Sequence, residues 1–156
     1  MAAVTRVEDI IEIESPRSTV WKVLTDPSFL PKLYPDVITE ETSPPGMLKV
    51  GTKAKVLAKL GKVRVEVYVE VTRADEENCL ETKQSPGGLF SSFRQTVFLE
   101  GEGIRSKVKV VFEYALVHEY AATITQEEFL DSRTADNLRW YTRNLKEICE
   151  LLPLPS

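Results

Sequence analysis

The stretch "SPRSTVWKVLTDPSFLPKLYP", residues 15–35, decides the fold. It comes after a strand-like run, "VEDIIEIE" at 7–14, and precedes a long series of further strand-like runs. Ser15 can cap a helix, and Pro16 suits the first helical position, where its missing N–H costs nothing. Val20, Val23 and Leu24 give one apolar side, with Trp21 beside them. Asp26-Pro27 ends this helix, because the residue before a proline is pushed out of helical geometry. Phe29, Leu30 and Leu33 give a second short turn, closed before Pro35. Helices this short do not hold in water alone. They must rest on something larger.

From residue 36 to residue 120 the chain is mostly strand-like. "DVITEETS" (36–43) leads into the turn "PPGM". "GTKAKVLAKL" (51–60) and "KVRVEVYVEVT" (62–72) meet at Gly61. "CLETKQ" (79–84), "FSSFRQTVFLE" (90–100) and "SKVKVVFEYALVHEY" (106–120) come next. Val63, Val65, Val67, Val69 and Val71 alternate with Arg64, Glu66, Tyr68, Glu70 and Thr72. That period of two predicts one buried and one wet face. Val108, Val110, Phe112, Tyr114, Leu116 and His118 share a face in the same way, as do Phe93, Gln95, Val97 and Leu99. The turn-forming clusters "DEEN", "SPGG" and "GEG" fall between runs, as an antiparallel meander requires.

The chain closes with a long helix, predicted over 126–152. "TQEE" at 125–128 fits a capping box, with Thr125 as the cap and Glu128 at the third helical position. Leu130, Thr134, Leu138, Tyr141, Leu145, Ile148 and Leu152 recur at three- and four-residue steps, so one stripe faces inward. A sheet of this kind has one face to cover, and one long helix is the only large element available. The expected architecture is α+β. A curved antiparallel sheet of six to seven strands wraps the C-terminal helix, and the two short helices after the first strand seat its far end. At 156 residues, one domain over 1–156 is the natural count.

The run "IEIESPRSTVWKVLTDPSFLPKLYPDV" (11–37) and the ending "NLRWYTRNLKEICE" (137–150) resemble START-like proteins of the polyketide cyclase/dehydrase and lipid-transport (SRPBCC) superfamily. The motif is P-x-x-x-V-W-x-x-L-T-D after the first strand, and the likeness covers nearly the whole chain. The resemblance implies a helix-grip fold, a cavity between sheet and long helix, and an entrance near the start of that helix. Members of the superfamily include carriers, cyclases, hydrolases and cofactor-trafficking proteins, so fold does not fix function.

With that architecture, the cavity candidates come from strand period and helix stripe. From the strands they are Val65, Val67, Phe90, Phe93, Gln95, Val97, Phe112, Tyr114 and His118. From the long helix they are Leu130, Thr134, Leu138 and Tyr141; from the short helices, Phe29, Leu33 and Tyr34. Each could equally be ordinary core. The polar members, Gln95, Tyr114, Tyr141 and the single histidine His118, are the ones able to hold a ligand head group. The entrance is expected between 60–62, 85–90 and 119–130, with His118 just inside.

Other chemistries are poorly supplied. One histidine and two cysteines without metal spacing, Cys79 and Cys149, give no zinc site and no nucleophile–base pair. "SPGGLF" (85–90) lacks the lysine and hydroxyl of a phosphate loop. No cofactor and no metal is expected. A net charge of −4 with interspersed signs argues against nucleic acid. No apolar run reaches the roughly 18 residues of a membrane span, and no secretory signal is visible, so a cytoplasmic location is expected. Lys49, Lys53, Lys55, Lys59, Lys62 and Arg64 make a basic outer band, an edge-protecting face or a surface for transient docking on a membrane or protein. The expected function is binding, with transport or sensing, of a hydrophobic small molecule: a lipid, an isoprenoid or a polyketide-like compound. The alternative is a cyclase/dehydrase-type enzyme using His118 and Tyr114 as an acid–base pair.

Overall fold

Strand β1 (Thr5–Ile13) leads into helix α1 (Arg17–Thr25), a 3-10 turn at Pro27–Phe29 and helix α2 (Leu30–Leu33). Six strands come next: β2 (Val37–Ser43), β3 (Lys53–Leu60), β4 (Val63–Asp75), β5 (Cys79–Gln84), β6 (Phe90–Glu100) and β7 (Ser106–Leu116). Helix α3 (Ile124–Leu151) closes the chain. This computed structural model describes residues 4–34, 36–60, 63–85, 90–117 and 124–153. Among these, no helix is long and apolar enough to cross a membrane.

The seven strands form one antiparallel sheet in the order β1-β7-β6-β5-β4-β3-β2. Strand β1 pairs with the last strand rather than its neighbour in sequence, because α1 and α2 carry the chain across to the far edge. Register shifts at Val37/Thr39, Val71/Arg73 and Phe90/Ser92 interrupt the ladders. Such bulges bend a strand, and the sheet curls around α3.

Helix α3 does not lie over the middle of the sheet. It packs on β1 and β7, at one edge. Leu138, Leu145 and Cys149 are buried there with Ile13, Val97, Leu99, Val108 and Val110. Thr142 Oγ1 donates to Asp9 Oδ2 at 2.6 Å, tying α3 to β1. The C-terminal end of α3 is fastened by buried serines. Ser15 Oγ donates to the Cys149 carbonyl at 2.8 Å, and Ser106 Oγ donates to the Ser15 carbonyl at 2.6 Å.

Two expected caps are corrected. Pro16, not Ser15, is the N-cap of α1, and no side chain caps it, because the Ser15 hydroxyl is committed to α3. Helix α3 begins at Ile124, so Thr125 lies inside it rather than at its cap. Asp26 ends α1 as expected and then caps the 3-10 turn, accepting from Ser28 N at 3.0 Å.

Candidate ligand cavity

Because α3 leans on β1 and β7, the opposite half of the curled sheet is left uncovered. A cavity of about 270 Å³ occupies that space. Its sheet wall carries Ala54, Val56 and Ala58 of β3 and Val67, Val69 and Val71 of β4. The alternation of β3 puts two alanines on the inner face, and these small side chains leave the room. Leu80, Thr82 and Gln84 of β5 continue the wall, and Phe90, Phe93 and Gln95 of β6 with Phe112 of β7 close it. Leu30, Leu33 and Tyr34 cover one side. Helix α3 supplies Leu130, Arg133, Thr134, Asn137 and Tyr141, a three- and four-residue stripe distinct from the one that packs on β1.

The lining is mainly apolar, with polar side chains spread over β5, β6, α2 and α3, and two groups of them stand out. Inside, the Tyr34 hydroxyl donates to Gln95 Oε1, and the Tyr34 and Tyr141 rings lie with centroids 4.8 Å apart. Tyr141 stands beside this pair on the cavity wall. Burial pushes both phenols well above their ordinary value, so they stay protonated. At the α2–β2 connection, Arg133 Nη2 stands 3.8 Å from Asp36 Oδ2, both partly exposed. These are the only charged side chains among the described lining residues.

Ten of the sixteen sequence candidates meet in this cavity: Leu33, Tyr34, Val67, Phe90, Phe93, Gln95, Phe112, Leu130, Thr134 and Tyr141 stand on its wall. Four stand elsewhere. Val97 and Leu138 are buried in the core between α3 and the β1–β7 edge. Phe29 packs on the outside of that core with the Lys32 ammonium 5.5 Å from its ring centroid. Tyr114 is fully buried behind Phe90 and Phe93, whose rings lie 5.5 and 6.0 Å from its own. Its hydroxyl donates to Asp131 Oδ1 at 2.6 Å. Burial, reinforced by that carboxylate, raises the phenol's pKa. As the acid–base candidate, Tyr114 is therefore misplaced: it does not face the cavity. His118 and the Val65 side chain lie outside the described residues, as do 61, 62, 86–89 and 118–123 of the expected entrance. Phe90 and Leu130 bring the cavity to that end of the sheet.

Several lining residues were not anticipated: Ala54, Val56, Ala58, Asp36, Arg133 and Asn137. The A-x-V-x-A alternation at 54–58 was the available signal, an inward row of unusually small side chains. In the basic band, Lys53, Lys55, Lys59 and Arg64 are exposed as expected. Lys55 Nζ pairs with Glu66 Oε1 at 3.1 Å and Lys53 stands opposite Glu70 on β4, so the band is partly neutralised by its neighbours.

A curled seven-stranded sheet around one long helix, with two short helices after β1, has close counterparts among solved structures. TTHA0849 from Thermus thermophilus superposes with a TM-score of 0.73 at 18% identity, covering 93% of this chain and 97% of that one. The chain has a helix-grip fold. Norcoclaurine synthase from Thalictrum flavum, solved with dopamine and hydroxybenzaldehyde, shares this helix-grip fold with a TM-score of 0.69 at 16% identity, over 94% and 87% of the two chains. Ginseng major latex-like protein 151 from Panax ginseng gives 0.69 at 18% identity, over 96% and 99%. No family model and no curated protein matches the sequence.

Proposed function

We propose that this helix-grip protein binds a small hydrophobic molecule in the cavity between α3 and strands β3–β6, as a carrier or sensor. The observation that supports this reading is the off-centre seat of α3, which leaves about 270 Å³ lined mainly by apolar side chains. That volume stands near the small end of the roughly 300–1,000 Å³ spanned by ligand pockets. It suits a compact ring compound, such as a small polyketide-like or isoprenoid molecule, better than a long acyl chain. Tyr114 faces Asp131 rather than the cavity, which weighs against the His118/Tyr114 enzyme. Native mass spectrometry of protein purified from its own host tests the reading, together with calorimetric titration by naphthalene. Saturable one-to-one binding, or a co-purifying apolar molecule, is the expected result. A bare protein that takes up no apolar compound would remove the proposal.

A further inference from the structure

The cavity's polar groups define what kind of molecule fits it. Tyr34 comes from the end of α2, Gln95 from the middle of β6 and Tyr141 from the middle of α3. Three separate elements thus bring two phenols and an amide to one point on a wall that is mainly apolar and carries Thr82, Gln84, Thr134 and Asn137 as further neutral polar residues. Tyr141 is 2% exposed and Gln95 9% exposed, so water is a poor partner for them. Leucine or phenylalanine would fill all three positions without any polar atom to satisfy. A cluster of this kind suits a guest that brings its own oxygen. Phenols and an amide both donate and accept, so either a hydroxyl or a carbonyl can be met.

The charge pattern narrows the guest further. Asp36 and Arg133, the charged pair on the described wall, face each other. An entering carboxylate would have to compete with Asp36 for Arg133, and at the phenol–amide cluster it would find no cation. An ionised group buried without a counter-charge is strongly disfavoured, whereas a neutral oxygen that finds a donor is not. We propose that Tyr34, Gln95 and Tyr141 form a hydrogen-bonding subsite that selects a neutral hydroxyl or carbonyl on a ring-sized apolar ligand, and that the cavity discriminates against carboxylates. This inference rests on the cavity-binding reading above.

A matched set of three compounds tests it: naphthalene, 2-naphthol and 2-naphthoate, titrated calorimetrically into the whole protein at neutral pH. The expected order is 2-naphthol tightest, by about ten-fold over naphthalene, the scale of one neutral hydrogen bond, with naphthoate weakest. Tyr34→Phe and Gln95→Leu should each bring the naphthol-to-naphthalene ratio down to about one, because each removes a partner of the ligand oxygen. Should Gln95→Leu fail to fold, Tyr34→Phe, which removes a single oxygen atom, carries the comparison. Equal binding of naphthol and naphthalene, or tightest binding of naphthoate, overturns this inference and leaves the cavity reading standing. An unchanged ratio in folded Tyr34→Phe overturns it too. If none of the three compounds binds, the cavity reading itself fails, and the subsite with it.

Discussion

Ala54→Phe asks directly whether the space beside α3 is open. Ala54 lies on β3 opposite Thr42 and Val69, with its side chain on the cavity wall. A phenyl ring there adds roughly 100 Å² of apolar surface, about 2.5 kcal/mol if it is fully removed from water at 25 cal/mol per Å². Forcing a larger side chain into a filled core costs about 1–3 kcal/mol through strained rotamers and backbone shifts. In a cavity of about 270 Å³ the strain is largely avoided, so the gain from burial is not cancelled. The unfolding free energy should stay within about 1 kcal/mol of the parent or rise, while naphthalene binding drops more than about ten-fold. Leu80→Ala is the counterpart. Leu80 is a buried residue on the same wall, and truncation should cost about 2–5 kcal/mol while enlarging the space. Urea unfolding and calorimetry read both variants. If Ala54→Phe loses several kcal/mol, the space is filled in solution. If it folds normally and binds naphthalene like the parent, the ligand site is elsewhere.

Ser15→Ala should cost about 1–3 kcal/mol in urea unfolding, because it removes the buried donor to the Cys149 carbonyl at the fastened end of α3. Gly101→Ala should destabilise by about 1–3 kcal/mol, since Gly101 has φ 125° and an added Cβ would run into the Arg105 carbonyl oxygen; an unchanged midpoint would mean this turn adopts another geometry. Alkaline pH should weaken the fold. Burial pushes the Cys149 thiol up to about 12 from an ordinary 9.0 and also raises Tyr34, Tyr141 and Tyr114, so the folded chain keeps protons that the unfolded chain releases. This stability is complete below the unfolded values and is lost as pH rises toward the folded ones, by up to about 1.4 kcal/mol per pH unit per group. Urea midpoints across that range should fall more gently in Cys149→Ala than in the parent; identical slopes would contradict the burial of this thiol.

The fold was legible because its two periodicities are clean. The valines of 63–71 alternate with charged and polar residues, and the described ones, Val67, Val69 and Val71, point toward the cavity while Glu66 and Glu70 are exposed. The inward stripe of α3 and the breaks at Asp26-Pro27 likewise came from local rules that tertiary packing did not override. The caps were less legible. A serine before a helix has two uses, and local sequence cannot tell whether its hydroxyl serves the next turn or a carbonyl from residue 149. Thr125 fails as a cap for a simpler reason: the helix already includes Ile124, two residues before the expected start at 126 and within the usual spread of helix ends.

The site was legible only as a face, not as a place on that face. Period-two alternation assigns Val97 and Gln95 to the same side of β6, yet Val97 packs in the core and Gln95 lines the cavity. Leu138 and Tyr141 share the α3 stripe and the same core, yet only Tyr141 also lines the cavity. What separates them is the lateral seat of α3, which no single strand or helix encodes. Its direction comes from side-chain bulk on the two halves of the sheet. Val108, Val110, Val97 and Leu99 offer a broad apolar surface on the β6–β7 side, while β3 offers Ala54 and Ala58. A helix gains more by burying Leu138, Leu145 and Cys149 against the bulky half, where contacts are dense, than against the alanine row. The same preference that stabilises the core on one side therefore leaves the other side open. Replacing the β3 alanines with larger residues would work on both at once, filling the cavity and competing for the helix.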